Sequence, residues 1–352
     1  MITDSIKKRY CAFWKKTNTD GCILFASHTN PPGDTSPNVP STAYEKWFDI
    51  EARFAYEEDV IKRTTYLYDA FPSVFTNFGP GTLSACIGGS FECSLDTIWF
   101  DQNPIISNIE NLPPIELNIE SEMWKAVEAF TTTFCQNANG RYYTSMSDIG
   151  VGLDLIAALR GTNELLYDLY DNPDAVINLD TKMREFWKTK FTYMHNITKP
   201  YQHGMTSWMP LWCENRFYPL QCDFAAMISP DMFKQFAIPT LRNLTEFLDH
   251  SVFHLDGVSM IQHLNQLLEL PRLDAVQWTA GAGNPDELNE DWYDLYKQVQ
   301  NAGKNVVLFA EGNVEKTEKL LKAINPRQLF LLSYAPDEYT AKSIVELAEK
   351  IK

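Results

Sequence analysis

The residues with most chemistry to offer sit in one stretch, Ser251 to Pro285, which reads SVFHLDGVSMIQHLNQLLELPRLDAVQWTAGAGNP. His254 and Asp256 stand two apart in SVFHLD, and Gln277 and Trp278 close LDAVQW. Side chains alternate faces along a strand, so an imidazole and a carboxylate two apart point the same way, within reach of one ion. The plainer reading is a hydrogen-bonded pair in which Asp256 caps the next helix. The flanking pattern decides where this pair would lie. SVFHLD reads as a strand, Gly257 as a turn, and Met260, Ile261, Leu264, Leu267 and Leu268 mark a helix that Pro271 closes. LDAVQW is the second strand. One such βαβ unit implies a parallel sheet with a right-handed crossover. In parallel folds chemistry collects at the carboxyl ends of the strands, where these four residues fall.

Further donors precede this unit. Cys222 and Asp223 lie together in QCDF, just before a helix start. Cys222 reads either as a ligand or as a small buried hydrophobe. Asp223 reads as a cap or a substrate contact, and Cys213 and Glu214 in a nearby turn are alternative donors. Trp208, Trp212, Phe217, Tyr218 and Trp278 gather around the same strand ends. Singly each is core filler; as a set they suit an aryl methyl ether by stacking or a methylated ammonium by cation–π contact. His28, in the loop after the first strand, is a candidate lid contact. His195, His203, His250 and His263 read as structural or exposed.

The whole chain sets limits. It has 352 residues, 45% hydrophobic, and a net charge of −16. Nucleic acid and anionic membranes need clustered Lys and Arg, so neither is an expected partner. There is no apolar signal core in MITDSIKKRYCAFWKK, and seven scattered cysteines fit reduced thiols. The expected location is the cytoplasm. GCILFAS is a buried strand, followed by the long loop HTNPPGDTSPNVPST. Residues 43 to 70 read as a charged helical region, SVFTNFGPG as a strand and turn, and residues 82 to 118 as an insertion with a short strand at DTIWF. GMTSWMPLW and RFYPLQCDF are strand-like. About eight strands alternate with helices without a linker. The expected fold is α/β, a single (β/α)8 TIM barrel with decorated loops and an N-terminal helical segment, over residues 1–352.

Several phrases carry a resemblance. NFGPG (beginning at Asn77), IAALRGTNELLYDLYDNPDAV, QCDFAAMISPDMFKQFAIP and HLDG, in this order, resemble the uroporphyrinogen decarboxylase-like superfamily. More narrowly they are similar to its corrinoid-linked methyltransferase branch, the trimethylamine-corrinoid-like proteins. The likeness covers roughly residues 70 to 350 and implies the same barrel. It implies a zinc site at a His-x-Cys position, which here is His254 with Asp256 in place of the cysteine and Cys222 as third ligand. Zinc accepts imidazole and carboxylate, so the exchange is chemically sound. The tetrapyrrole-binding members use arginines after the first strand, and none lies between Arg9 and Arg53.

The resemblance therefore implies a methyltransferase that moves a methyl group between a small methylated donor and a corrinoid on a partner protein. His254, Asp256 and Asp223 would be catalytic, and Trp208, Trp212, Tyr218, Trp278, Gln277, His28 and Asn77 would bind substrate. The assembly state, monomer or homodimer, is left open. Two other readings stay open: a decarboxylase of a smaller acid, with Asp223 or Asp256 handling the proton, and a non-catalytic barrel that binds a corrinoid or methylated ligand.

Overall fold

The computed structural model describes residues 2–34, 36, 37, 39–100 and 104–352. In chain order its strands are β1 (Ile23–Thr29), β2 (Thr64–Tyr68), β3 (Ser73–Phe75), β4 (Phe91–Cys93), β5 (Ile98–Phe100), β6 (Tyr143–Ser145), β7 (Phe217–Leu220), β8 (His250–Asp256), β9 (Ala275–Thr279), β10 (Asn305–Glu311) and β11 (Leu329–Tyr334). Seven of them form one sheet in the order β2-β1-β11-β10-β9-β8-β7. Every pairing in it is parallel except β1 with β2. Strands such as NVVLFAE and LFLLSY carry near-continuous apolar runs and are buried almost throughout. That is the pattern of a parallel sheet covered on both faces. Helices at Tyr293–Asn301, Val314–Ala323 and Glu338–Lys350 supply the cover around the carboxyl-terminal half.

The expected α/β class and parallel sheet are present, but closure into a hydrogen-bonded barrel is not seen among the described residues. β3 and β6 pair in parallel with each other, apart from the large sheet. Two local features accompany this break in the hydrogen-bonded ladder. TTYLY, placed by its charged surroundings in a helical region, is β-branched and aromatic and becomes β2, which occupies the free edge of β1. GMTSWMPLW, expected to be a strand, is irregular, with a lone bridge between Met205 and Cys213. There the Thr206 and Ser207 hydroxyls donate to the Met209 carbonyl, competing with a ladder.

Residues 82 to 118 hold a short helix and a hairpin, the latter including the strand expected at DTIWF. The helix Thr82–Ile87 is buried along its whole length, and β4 and β5 form an antiparallel hairpin. No helix among the described residues is long and apolar enough to cross a membrane. At the end of β8 the chain turns at Gly257, whose φ of +83° favours glycine, and its N–H donates to the Thr279 carbonyl at 2.8 Å. That turn fixes Asp256 as the last strand residue beside Thr279.

Candidate metal and acid–base site

Three groups meet at the carboxyl edge of the large sheet. One ligand atom each from Asp223, His254 and Asp256 lies within 4.8 Å of the other two. His254 Nε2 is 3.9 Å from Asp256 Oδ2; the imidazole is 15% exposed and the carboxylate 44%. Strand alternation turns both toward the same side, as their spacing requires. Asp256 caps no helix: the 3-10 turn Val258–His263 starts at Gly257 without a side-chain cap. Among the described residues, the Asp223 and Asp256 carboxylates accept no hydrogen bond. Two acceptor groups are therefore free beside one imidazole.

The neighbouring strand sets the tautomer of that imidazole. Residue 254 stands opposite Gln277 in the β8–β9 register, and His254 Nδ1 is hydrogen bonded to Gln277 Oε1. The Gln277 amide nitrogen donates to the Trp278 carbonyl at 2.8 Å and to Thr279 Oγ1 at 2.9 Å. Both amide hydrogens are thus used, and only the oxygen faces the ring. His254 must carry a proton on Nδ1, leaving Nε2 to face the carboxylates as ligand or base. This arrangement, a ring nitrogen fixed by an outer partner, is the usual support of a metal-bound histidine. Trp208 closes one side with its ring edge-on to His254 at 5.2 Å and to Phe309 at 6.3 Å.

Two further carboxyls surround the trio. Asp154 accepts from the backbone N–H groups of Asp223 at 3.0 Å and Phe224 at 2.8 Å, so it fixes the turn that presents Asp223. Burial, and then the charge of Asp223, push the Asp154 pKa upward. Asp148 is pushed up to about 6, chiefly by burial, with the Tyr218 hydroxyl bond opposing and the Asp223 charge adding. Asp223 is itself shifted upward by burial, with His254 opposing and Asp256 adding. Asp148, Asp154 and Asp223 thus all hold a proton more firmly than ordinary exposed carboxyls do. Sequence reasoning missed Asp148 and Asp154, which lie in the irregular 146–152 segment and on the helix Leu153–Arg160. Only the fold brings them here.

Other expected residues lie elsewhere. Cys222 is outside the trio: it is the residue before the 3-10 turn Asp223–Met227, which presents Asp223 and not Cys222 to the other two donors. Its thiol is buried, and burial raises its pKa well above the ordinary value. Trp278 faces away because its neighbour Gln277 faces the site; its ring packs on Trp292 at 5.1 Å. Trp212 belongs to the opposite edge, where its Nε1 donates to the His203 carbonyl at 3.2 Å. Tyr218 is buried and touches the site only through Asp148, to which its hydroxyl donates while accepting from Ile149 N at 2.8 Å. His28 is bound through Nδ1 to the Ala335 carbonyl at 3.1 Å. Asn77 forms a local turn, accepting from Gly79 N at 2.8 Å. His263 is buried and stacked on Phe233.

The donor set fits a divalent ion. Zinc ligands lie near 2.0–2.2 Å from the metal, which puts neighbouring donors roughly 3.3 Å apart in a tetrahedron. With 3.9 Å between His254 and Asp256 and no more than 4.8 Å between any two of the three donors, that requires the two carboxylates to rotate toward the fixed imidazole. Three donors leave one position open. No family model matches the sequence, and no curated protein does either. The fold is similar to that of a methyltransferase from Methanosarcina mazei, over 98% of each chain, with a TM-score of 0.63 at 12% identity.

Proposed function

We propose that this chain is a methyltransferase that activates a small methylated donor, an ether or an amine, for transfer to a corrinoid carried on a separate protein. The observation that carries the reading is the Asp223–His254–Asp256 trio at the carboxyl edge of a parallel sheet. The likeness of fold to a methyltransferase supports the reaction class. In this reading β3 and β6 complete the wall of a (β/α)8 barrel with the large sheet.

Asp223 and Asp256 supply carboxylate oxygens and His254 supplies Nε2, held in place through Gln277. A divalent ion, zinc in the first instance, would supply Lewis acidity to the leaving oxygen or nitrogen when bound there. Trp208 offers an apolar wall beside the open position and suits an aryl or methylammonium group. Asp148 and Asp154, both shifted upward, are the nearby carboxyls from which a departing alkoxide or amine would take a proton.

Elemental analysis of the purified protein, with methyl transfer from anisole or trimethylamine to reduced cobalamin followed by absorbance, tests the proposal. One equivalent of metal and transfer that chelation removes are expected. Metal-free protein that transfers at full rate would overturn it. A second reading, decarboxylation of a small acid, draws on the raised Asp148 and Asp154 carboxyls. It requires carbon dioxide release that chelation leaves intact.

A further inference from the structure

A second cavity lies between the helices Ala43–Trp47 and Ile50–Arg63, the end of β3 and the β4–β5 hairpin. Its volume is about 640 Å³, a size that suits a small molecule. Trp47, Tyr56 and Phe75 give it aromatic walls; Lys46 and Arg53 line it with positive charge, and Glu57 and Asp96 add carboxyls to the lining. Neither Asp223 nor His254 nor Asp256 lines it.

Arg53 is the unusual member. It is only 6% exposed, yet it makes no ion pair with any described residue. The other arginines with well-covered side chains have carboxylates: Arg9 has Asp69, Arg63 has Asp59, Arg160 has Asp168 and Arg184 has Asp180. The rings of Phe78 and Phe130 lie 5.1 and 4.8 Å from the Arg53 guanidinium carbon. Nη2 donates to the Phe75 carbonyl at 3.3 Å, and Nη1 has no partner among the described residues. Aromatic faces do not satisfy in-plane N–H groups, and a buried cation without a counter-ion is costly. Glu57 feels this charge from one turn away without forming an ion pair, and burial pushes its own carboxyl toward the protonated form. The chain thus leaves a planar fork without an anion at the wall of an aromatic cavity.

We infer that this cavity binds a small molecule with a carboxylate on a planar, apolar body, the carboxylate meeting the Arg53 fork. Arginine donors match carboxylate geometry in the plane. Lys46 adds charge without a fork, since its ammonium already donates to the Leu95 carbonyl. A polycarboxylated macrocycle would find one fork where it needs several.

Titration calorimetry with benzoate and with its neutral analogue benzamide tests the inference. Benzoate is expected to bind at least ~10-fold more tightly, the scale of a charge-assisted hydrogen bond. Arg53→Gln should level the two ligands, and Arg53→Lys should recover part of the preference. Arg53→Met should melt no lower than the parent protein, because it removes an unpaired buried charge, and benzoate should no longer raise its Tm. His254→Ala should bind benzoate as the parent does. Equal binding of the two ligands, no benzoate binding, or loss of benzoate binding in His254→Ala would overturn the assignment. The benzoate–benzamide comparison on the parent protein decides the matter even if a variant fails to fold.

Discussion

Strand β8 carries a histidine at each end, four residues apart and on the same face, and each has an aspartate at hand. His250, at the amino edge, is 3.1 Å from Asp274, which also accepts from Ser251 N at 3.1 Å. Its ring stacks on Trp14 at 4.8 Å. Nearby Arg216 is paired with Asp249 at 3.0 Å. His254, at the carboxyl edge, faces Asp256 at 3.9 Å and Asp223 beyond it, and those carboxylates accept nothing else among the described residues. Residue types alone do not separate the two ends. Completed hydrogen bonds mark the structural histidine, and unused acceptors mark the one with chemistry to do.

The sharpest way to break this comparison is to remove each histidine in turn. His254→Ala should lose the metal altogether, with methyl transfer falling to background, while the melting curve keeps its shape. Metal retained at one equivalent would remove His254 from the site. Next in size is the pH response of the metal-free protein. Asp148 sits at about 6 against an ordinary 3.8, so the folded chain holds this proton more firmly than the unfolded one. Its contribution to stability is full at low pH and is lost as pH rises through about 6. The loss is on the order of 3 kcal/mol for such a shift. Denaturation at a series of pH values should show a flatter curve for Asp148→Asn, and an unchanged curve would refute the assignment.

Gln277→Leu should be milder. It frees His254 to rotate and to change tautomer, and loss of an outer partner costs about 10–100-fold in metal affinity. Competition with a chelator measures it, and an unchanged affinity would mean that the ring is held some other way. The smallest effect belongs to the amino edge. His250→Phe keeps the stack on Trp14 and loses the bond to Asp274, at a cost of about 1 kcal/mol. Its metal content should match the parent protein. If His250→Phe lost metal, the two ends of β8 would have to be read the other way round.

Much of this was legible in the sequence where local pattern governs. The βαβ unit, with strands β8 and β9, followed from apolar runs and from the proline that ends the helix. The shared direction of His254 and Asp256 followed from alternation alone. The same rule, applied to Gln277 and Trp278, allows only one of them on the site side; choosing between them needed the register, which sets Gln277 opposite His254. Cys222 and Asp223 posed the same two-way choice, and the turn backbone settled it for Asp223. Trp212 was misplaced because the irregular 205–213 segment, tied by the Met205–Cys213 bridge, leaves it at the amino edge. Asp148 and Asp154 had no local signal, since burial and charge from residues distant in sequence create their importance.

The pairing of β1 with β11 has a consequence in time. Ile23 lies beside Phe330 and Ser27 beside Tyr334, so a strand near the start of the chain is completed by one near its end. A ribosome adding roughly 5–20 residues per second needs on the order of 15–60 s to make the intervening stretch. Through that interval the apolar ILFASHT strand has only β2 to cover one of its edges. β2, made soon after it, would act as an early guard on a strand whose permanent neighbour has yet to be synthesised.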